Sequence, residues 1–283
     1  MAGAVAGDLN GDSKPDTAIL LVTGGGVESK LYVVFGDGTR GQDIILDELT
    51  PPEGAVLTFS EGHVGRALAS GGDFDSDGKD DLVLHVISQE PEGQLVREWL
   101  LVAGRASFTE GVPVDGLEKT ARIYSSSGEL LPGAEAIVPD VSGDGIDDLL
   151  LSDDQQGKKS VLYVVNGSWE WPREGIDLAT LAEDGLGARM EIDVSAARIA
   201  GSLGDFNGDG TNDMFFGGRG VLQEGALIIA YGGPGVFTGE TLRLSRGFFG
   251  DNGGFLVAGA NLFSGFISSA AGAGDIDGDG DAD

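Results

Sequence analysis

Five acidic loops of one pattern, set at nearly constant intervals, constrain this chain more than any other feature. The clearest copy is Asp205-Phe206-Asn207-Gly208-Asp209-Gly210-Thr211-Asn212-Asp213. Oxygen-bearing side chains stand at loop positions 1, 3, 5 and 9, and the Gly at position 6 permits a sharp turn with φ > 0. Such a turn gathers side-chain oxygens and one backbone carbonyl around a common centre. Ca²⁺ takes 6–8 oxygen ligands in a flexible geometry and suits that centre.

The other copies begin at Asp8, Asp73, Asp140 and Asp275, so the first aspartates lie 65, 67, 65 and 70 residues apart. The expected side-chain ligands are Asp8, Asn10, Asp12 and Asp16 in the first loop and Asp73, Asp75, Asp77 and Asp81 in the second. They are Asp140, Ser142, Asp144 and Asp148 in the third and Asp205, Asn207, Asp209 and Asp213 in the fourth. The fifth offers Asp275, Asp277, Asp279 and Asp283. The position-7 carbonyls of Lys14, Lys79, Ile146, Thr211 and Asp281 add one ligand each. Asp, Asn and Gly also form ordinary turns. Three or four unneutralised carboxylates within a few ångströms repel strongly, however, and that favours a metal. Mg²⁺ fits less well, because it demands stricter octahedral geometry and keeps its waters. An EF-hand needs a bidentate Glu at position 12 and flanking helices. Position 12 here is Ile19, Leu84, Leu151 or Phe216, all apolar and in strand-like runs. The metal therefore reads as a structural staple.

What surrounds the loops also repeats. Small and apolar runs precede four of them, at 66–70, 134–139, 196–203 and 266–273. Apolar runs of strand length follow, at 17–22, 82–87, 149–151 and 214–216. A third run stands at 31–35, 98–102, 161–165 and 226–231, each closed by a Gly (Gly36, Gly104, Gly167, Gly232). A weaker fourth is placed at 55–59, 121–124, 189–194 and 255–258. The runs are β-branched, aromatic or Leu-rich and too short for helices. Four short strands per unit is the cadence of a β-propeller blade. The expected fold is all-β: a propeller of four-stranded antiparallel blades, with a calcium loop between the first and second strand of each. Its units are approximately 1–59, 60–124, 125–194 and 195–260, with the start of a fifth at 261–283, in one domain. Single helical turns are expected at 43–49 and 177–184. The chain stops on the last ligand of its fifth loop and reads as a fragment.

The formal net charge is −30, and 20 of the 47 acidic residues lie inside the five loops. Nucleic acid and anionic membrane surfaces are poor partners for such a chain, because affinity there comes from Lys and Arg. With no cysteine, neither a disulfide framework nor a Zn-thiolate site is available. No apolar run is long enough for a transmembrane helix, and the first seven residues lack the basic start and apolar stretch of a signal peptide.

Gly204-Asp205-Phe206-Asn207-Gly208-Asp209-Gly210-Thr211-Asn212-Asp213, between a small-residue strand and an apolar one, resembles an FG-GAP repeat. Gly265-Phe266, Val33-Val34-Phe35-Gly36, Val164-Val165-Asn166-Gly167 and Asp177-Leu178-Ala179-Thr180-Leu181 are similar to further elements of that family. The resemblance covers essentially the whole chain. It implies a blade repeat of the kind found in integrin α-subunits and in secreted or surface-attached bacterial proteins. An extracellular or cell-surface setting and a protein or glycan ligand follow as expectations. The chain departs from the pattern at Ser142, which stands where Asn or Asp is usual, and at Ser13, which replaces the position-6 Gly. The aromatic-Gly and Gly-Ala-Pro signatures are degraded in most units.

Catalytic residues are hard to find. The only histidines are His63, in a strand connection, and His85, inside a strand-like run. No Ser or Cys nucleophile motif appears, and the loop carboxylates are committed to metal. The expected function is a structural or adhesive platform. The alternative is a propeller-based polysaccharide lyase or hydrolase that uses calcium structurally. Trp169 and Trp171 fit packing at the bottom of a blade better than a sugar platform. The face opposite the calcium loops, built from 23–30, 88–95, 152–160 and 217–225, is the expected ligand side.

Overall fold

A computed structural model of the chain describes every residue except 1, 39–42, 90–93, 109–110, 129–131, 154–159, 169, 173, 193–194, 220–224, 238–241, 245–252, 259–269, 281 and 283. The described residues are all-β, apart from two three-residue 3₁₀ turns. The first sheet is β1 (Ala2–Gly7), β2 (Asp16–Thr23), β3 (Glu28–Val34) and β4 (Gly54–Leu57), joined in chain order and antiparallel throughout. The second runs β5 (His63–Ser70), β6 (Leu82–Gln89), β7 (Leu95–Val102) and β8 (Thr120–Tyr124) in the same manner. The third is formed by β9 (Pro132–Val138), β10 (Asp148–Asp153) and β11 (Ser160–Val165). After the two-residue β12 (Ile176–Asp177), it is continued by β13 (Gly187–Ile192). The fourth is β14 (Ser195–Gly204), β15 (Asp213–Arg219), β16 (Gly225–Ala230) and, after β17 (Leu242–Leu244), β18 (Gly254–Ala258).

Two features correct the strictly four-stranded, antiparallel expectation. β12 pairs parallel with β8, and β17 pairs parallel with β13, so the second and third sheets have five strands each. Both added strands come from the connection between the third and fourth strands of the following sequence repeat. An edge strand exposes unpaired N–H and C=O groups, and these short segments cover it. Asp115 and Asp177 do related work. Their Oδ1 atoms accept the N–H of Ser60 and Ser126, just beyond β4 and β8.

The 3₁₀ turn Leu46–Glu48 falls where a helical turn is expected, and Tyr32 Oη and Lys30 Nζ both donate to Asp47 there. A second 3₁₀ turn, Val114–Gly116, has no counterpart in the sequence reading. Residues 178–185 form successive turns that include one helical turn, closed by Asp184 N–H donating to Thr180 O at 2.9 Å, within the 177–184 expected. Leu178 and Leu181 are fully buried there, and Gly185 with φ of 72° ends the segment. Of the strand expected at 266–273, 266–269 lie outside the described residues, and 270–273 are without regular structure.

The chain divides into two compact units, Met1–Glu129 with Ser168–Asp177, and Leu130–Gly167 with Leu178–Asp283. In the first unit, Leu31, Val33 and Leu57 of the first sheet pack against Leu82, Leu84, Leu100 and Val102 of the second. In the second unit, Leu150, Leu162, Val164 and Met190 pack against Met214, Phe216 and Ile228. Each fully buried Leu, Met or Phe contributes about 1.5–3 kcal/mol through removal from water. These two face-to-face sheet pairs hold the strands that carry the acidic loops.

Candidate metal centre

Four acidic loops connect the first strand of a sheet to its second: β1 to β2, β5 to β6, β9 to β10 and β14 to β15. Position 12 (Ile19, Leu84, Leu151 and Phe216) lies within β2, β6, β10 and β15, so no EF-hand helix follows. Each loop is wound on its own carboxylates. The position-1 Asp accepts backbone N–H groups from the turn it opens. Asp8 accepts from Gly11, Asp12 and Ser13 at 2.6–3.0 Å. Asp140 accepts from Gly143, Asp144 and Gly145 over the same range, 2.6–3.0 Å. Asp73, Asp205 and Asp275 repeat the arrangement. The position-5 carboxylates of Asp12, Asp77, Asp144 and Asp209 accept the position-7 N–H. Positions 4 and 6 both take left-handed backbone. Gly143 and Gly145 have φ of 79° and 91°, and Ser13, which replaces Gly at position 6, has φ of 64°. The sequence reading anticipated this only at position 6.

The position-9 aspartates have a second job that the pattern did not disclose. Asp16, Asp81, Asp148 and Asp213 are buried, and each accepts the N–H of the Gly that closes the third strand. Asp148 Oδ2 also takes the N–H of Val141 and Ser142 at 2.9 and 2.7 Å, and Oδ1 takes Gly167 N–H at 3.1 Å. Asp81 and Asp213 hold the N–H of Phe74 and Phe206 in the same way. A Cβ on Gly36, Gly104, Gly167 or Gly232 would lie 2.1–2.4 Å from the carbonyl oxygen of the position-8 residue, so only Gly fits there. Position 2 is an apolar plug: Leu9, Phe74 and Val141 are fully buried, whereas Ile276 of the fifth loop is exposed. Its signal is the apolar residue at that place in every copy.

Neighbouring loops within each unit are also tied together. Asp80 N–H donates to Asp8 O, and Asp80 Oδ2 accepts Asp8 N–H at 2.6 Å. Asn212 Nδ2 donates to Asp140 O, and Ala282 N–H donates to Asp205 O at 2.8 Å.

The loops do not gather their carboxylates equally. Oxygens of Asp73, Asp75 and Asp81 come within 4.8 Å of one another, as do those of Asp275, Asp277 and Asp279. Asp75 is buried, and its Oδ1 has no hydrogen-bond partner. A hard, buried oxygen donor lacking a partner fits a bound cation. Asp16 is buried as well, but the backbone N–H groups of Gly36 and Leu9 stabilise its carboxylate. In the other loops, Asn10, Ser142 and Asn207 supply neutral oxygens at position 3, so fewer charges converge. Asp281 and Asp283 lie outside the described residues.

Burial raises Asp81 to about 8 and Asp148 to about 6, outweighing the N–H donors that lower them. Asp16 and Asp213 are raised too, again chiefly by burial. A carboxyl raised on folding binds its proton more tightly in the folded chain than in the unfolded one. Its stabilising contribution is complete below the ordinary carboxylate range and is lost as pH rises through the folded value. In calcium-free buffer, the melting temperature should therefore climb as pH falls from about 8 to about 6.5, above the range in which half-buried, neutral His85 opposes the trend. Thermal melts across that range check the sign, and a climb in the opposite direction would refute it.

The remaining candidates carry little chemistry. His85 is half-buried in β6 beside Trp99, and burial lowers its pKa to about 4. His63 opens β5 and is half-buried, not free in a connection. Trp171 packs its ring 5.9 Å from that of Phe74, against the second acidic loop, which is a packing role. Trp169 lies outside the described residues. A cleft of about 540 Å³, lined by Lys14, Thr17, Phe35 and Asp37 among others, sits beside the first loop. It is not on the side the sequence points to, where 90–93, 154–159 and 220–224 lie outside the described residues. No described helix is long and apolar enough to cross a membrane. No protein-family model matches the chain, and a comparison with curated proteins finds no match.

Proposed function

We propose that the chain is a calcium-binding segment of an FG-GAP-type β-propeller, in which each sheet is a blade and each acidic loop a calcium staple. The observation that carries this reading is the repeated placement of the loop. In four sheets it joins the first strand to the second, and it is already wound into a turn whose backbone N–H groups point at its position-1 carboxylate. The cation neutralises the cluster and locks the loop. It does no chemistry there. The role follows from rigidity: an extracellular or cell-surface platform that binds a protein or glycan. A glycan array probed with the chain, with and without EDTA, tests the platform beside a lyase assay on acidic polysaccharides. Calcium-dependent retention on the array without turnover supports the reading, and turnover would replace it with the enzymatic alternative.

A further inference from the structure

We infer that Lys119 is a tethered cation that occupies the second acidic loop when metal is absent and must swing out when metal enters. Resting on the calcium reading of the loops, the inference concerns this one site. Lys119 precedes β8 and is 44 residues from Asp75 in sequence, yet its Nζ lies 2.9 Å from Asp75 Oδ2. It also reaches Asp77 Oδ2 at 3.4 Å. Asp75 is the position-3 residue, 5% exposed, and belongs to the converging group with Asp73 and Asp81. The Asp75 Oδ1 atom, buried and unpartnered, leaves one ligand oxygen unused by the ammonium.

The other sheets supply an internal comparison. In each, one residue's carbonyl accepts the N–H that follows the third strand: Glu53, Lys119, Leu186 and Gly253 in turn. Only the second sheet places a cation there. Lys119 holds φ of 52°, in the left-handed region that favours Gly or Asn, so its choice is not explained by backbone preference. Lys14 and Lys79 differ in kind, because each bonds the position-5 carboxylate of its own loop from position 7.

A lysine side chain 59% exposed is held loosely enough to leave. A divalent ion with more ligands displaces it, and its apparent affinity falls by the fraction of time the seat is filled. The second loop is then the one that stays neutralised at low calcium.

Calcium titration calorimetry on the full chain tests this with wild type, Lys119→Met, Asp75→Asn and the double variant. Lys119→Met is expected to tighten one site about threefold to fivefold. It should also lower the melting temperature in EDTA, and the affinity gain should vanish in the Asp75→Asn background. An isotherm unchanged or weakened by Lys119→Met overturns the inference while leaving the calcium reading intact. Absence of calcium binding in both wild type and Lys119→Met overturns the two together.

Discussion

Asp148→Ala is expected to lower the melting temperature by roughly 10 °C, in calcium and in EDTA alike. The substitution removes the acceptor of three N–H groups, those of Val141, Ser142 and Gly167, in a place without solvent access. Each orphaned buried donor costs about 1–3 kcal/mol, partly offset because a carboxylate costly to bury has gone. A net loss of about 4 kcal/mol in a unit of this size shifts the midpoint by about 2–4 °C per kcal/mol. Asp144 is the control. It is exposed and accepts the N–H of Ile146 at 2.9 Å. Asp144→Ala should cost less than about 1 kcal/mol without calcium, and show its full effect only when calcium is present. Circular dichroism melts of the two variants separate the position that builds the loop from the position that serves the ion. Equal, calcium-dependent losses would mean that Asp148 is chiefly a ligand.

The wild-type chain should melt at least about 10 °C higher in 10 mM Ca²⁺ than in EDTA. Sites of this kind in extracellular modules have dissociation constants on the order of 10⁻⁴–10⁻³ M. At 10 mM calcium each filled loop then stabilises the folded state by about 1.4–2.7 kcal/mol. The second unit carries the third, fourth and fifth loops, so it should gain most. General screening of a chain with net charge −30 also raises stability, so sodium chloride of equal ionic strength is the necessary comparison. Mg²⁺ at the same concentration should do much less, because the loops lack an octahedral set that would repay its dehydration.

Much of the sheet architecture was legible because apolar runs such as 31–35 and 161–165 match β3 and β11 closely. β1 was not, because Ala-Gly-Ala-Val-Ala-Gly offers no apolar contrast and owes its strand to pairing with β2. β12 and β17 exist through their partners β8 and β13, and two or three residues carry no period of their own. Leu178 and Leu181, three apart and buried, gave the signal of the single helical turn that Asp184 N–H closes onto Thr180 O. At the loops, the pattern located every carboxylate but not its division of labour. An Asp left open to solvent and an Asp that caps buried N–H groups are the same letter, and only burial and partners tell Asp144 from Asp148. Lys119 was beyond reach, because its link to Asp75 depends on strand register and on no local pattern.

Equilibrium dialysis of the chain against calcium measures the central claim most directly. One ion per acidic loop, five per chain at saturation, is the predicted end point, with loss of a single ion on Asp209→Ala in the fourth loop. A chain that retains no calcium at about 10 mM, or whose bound calcium is unchanged by substitutions at position 5, would contradict the account.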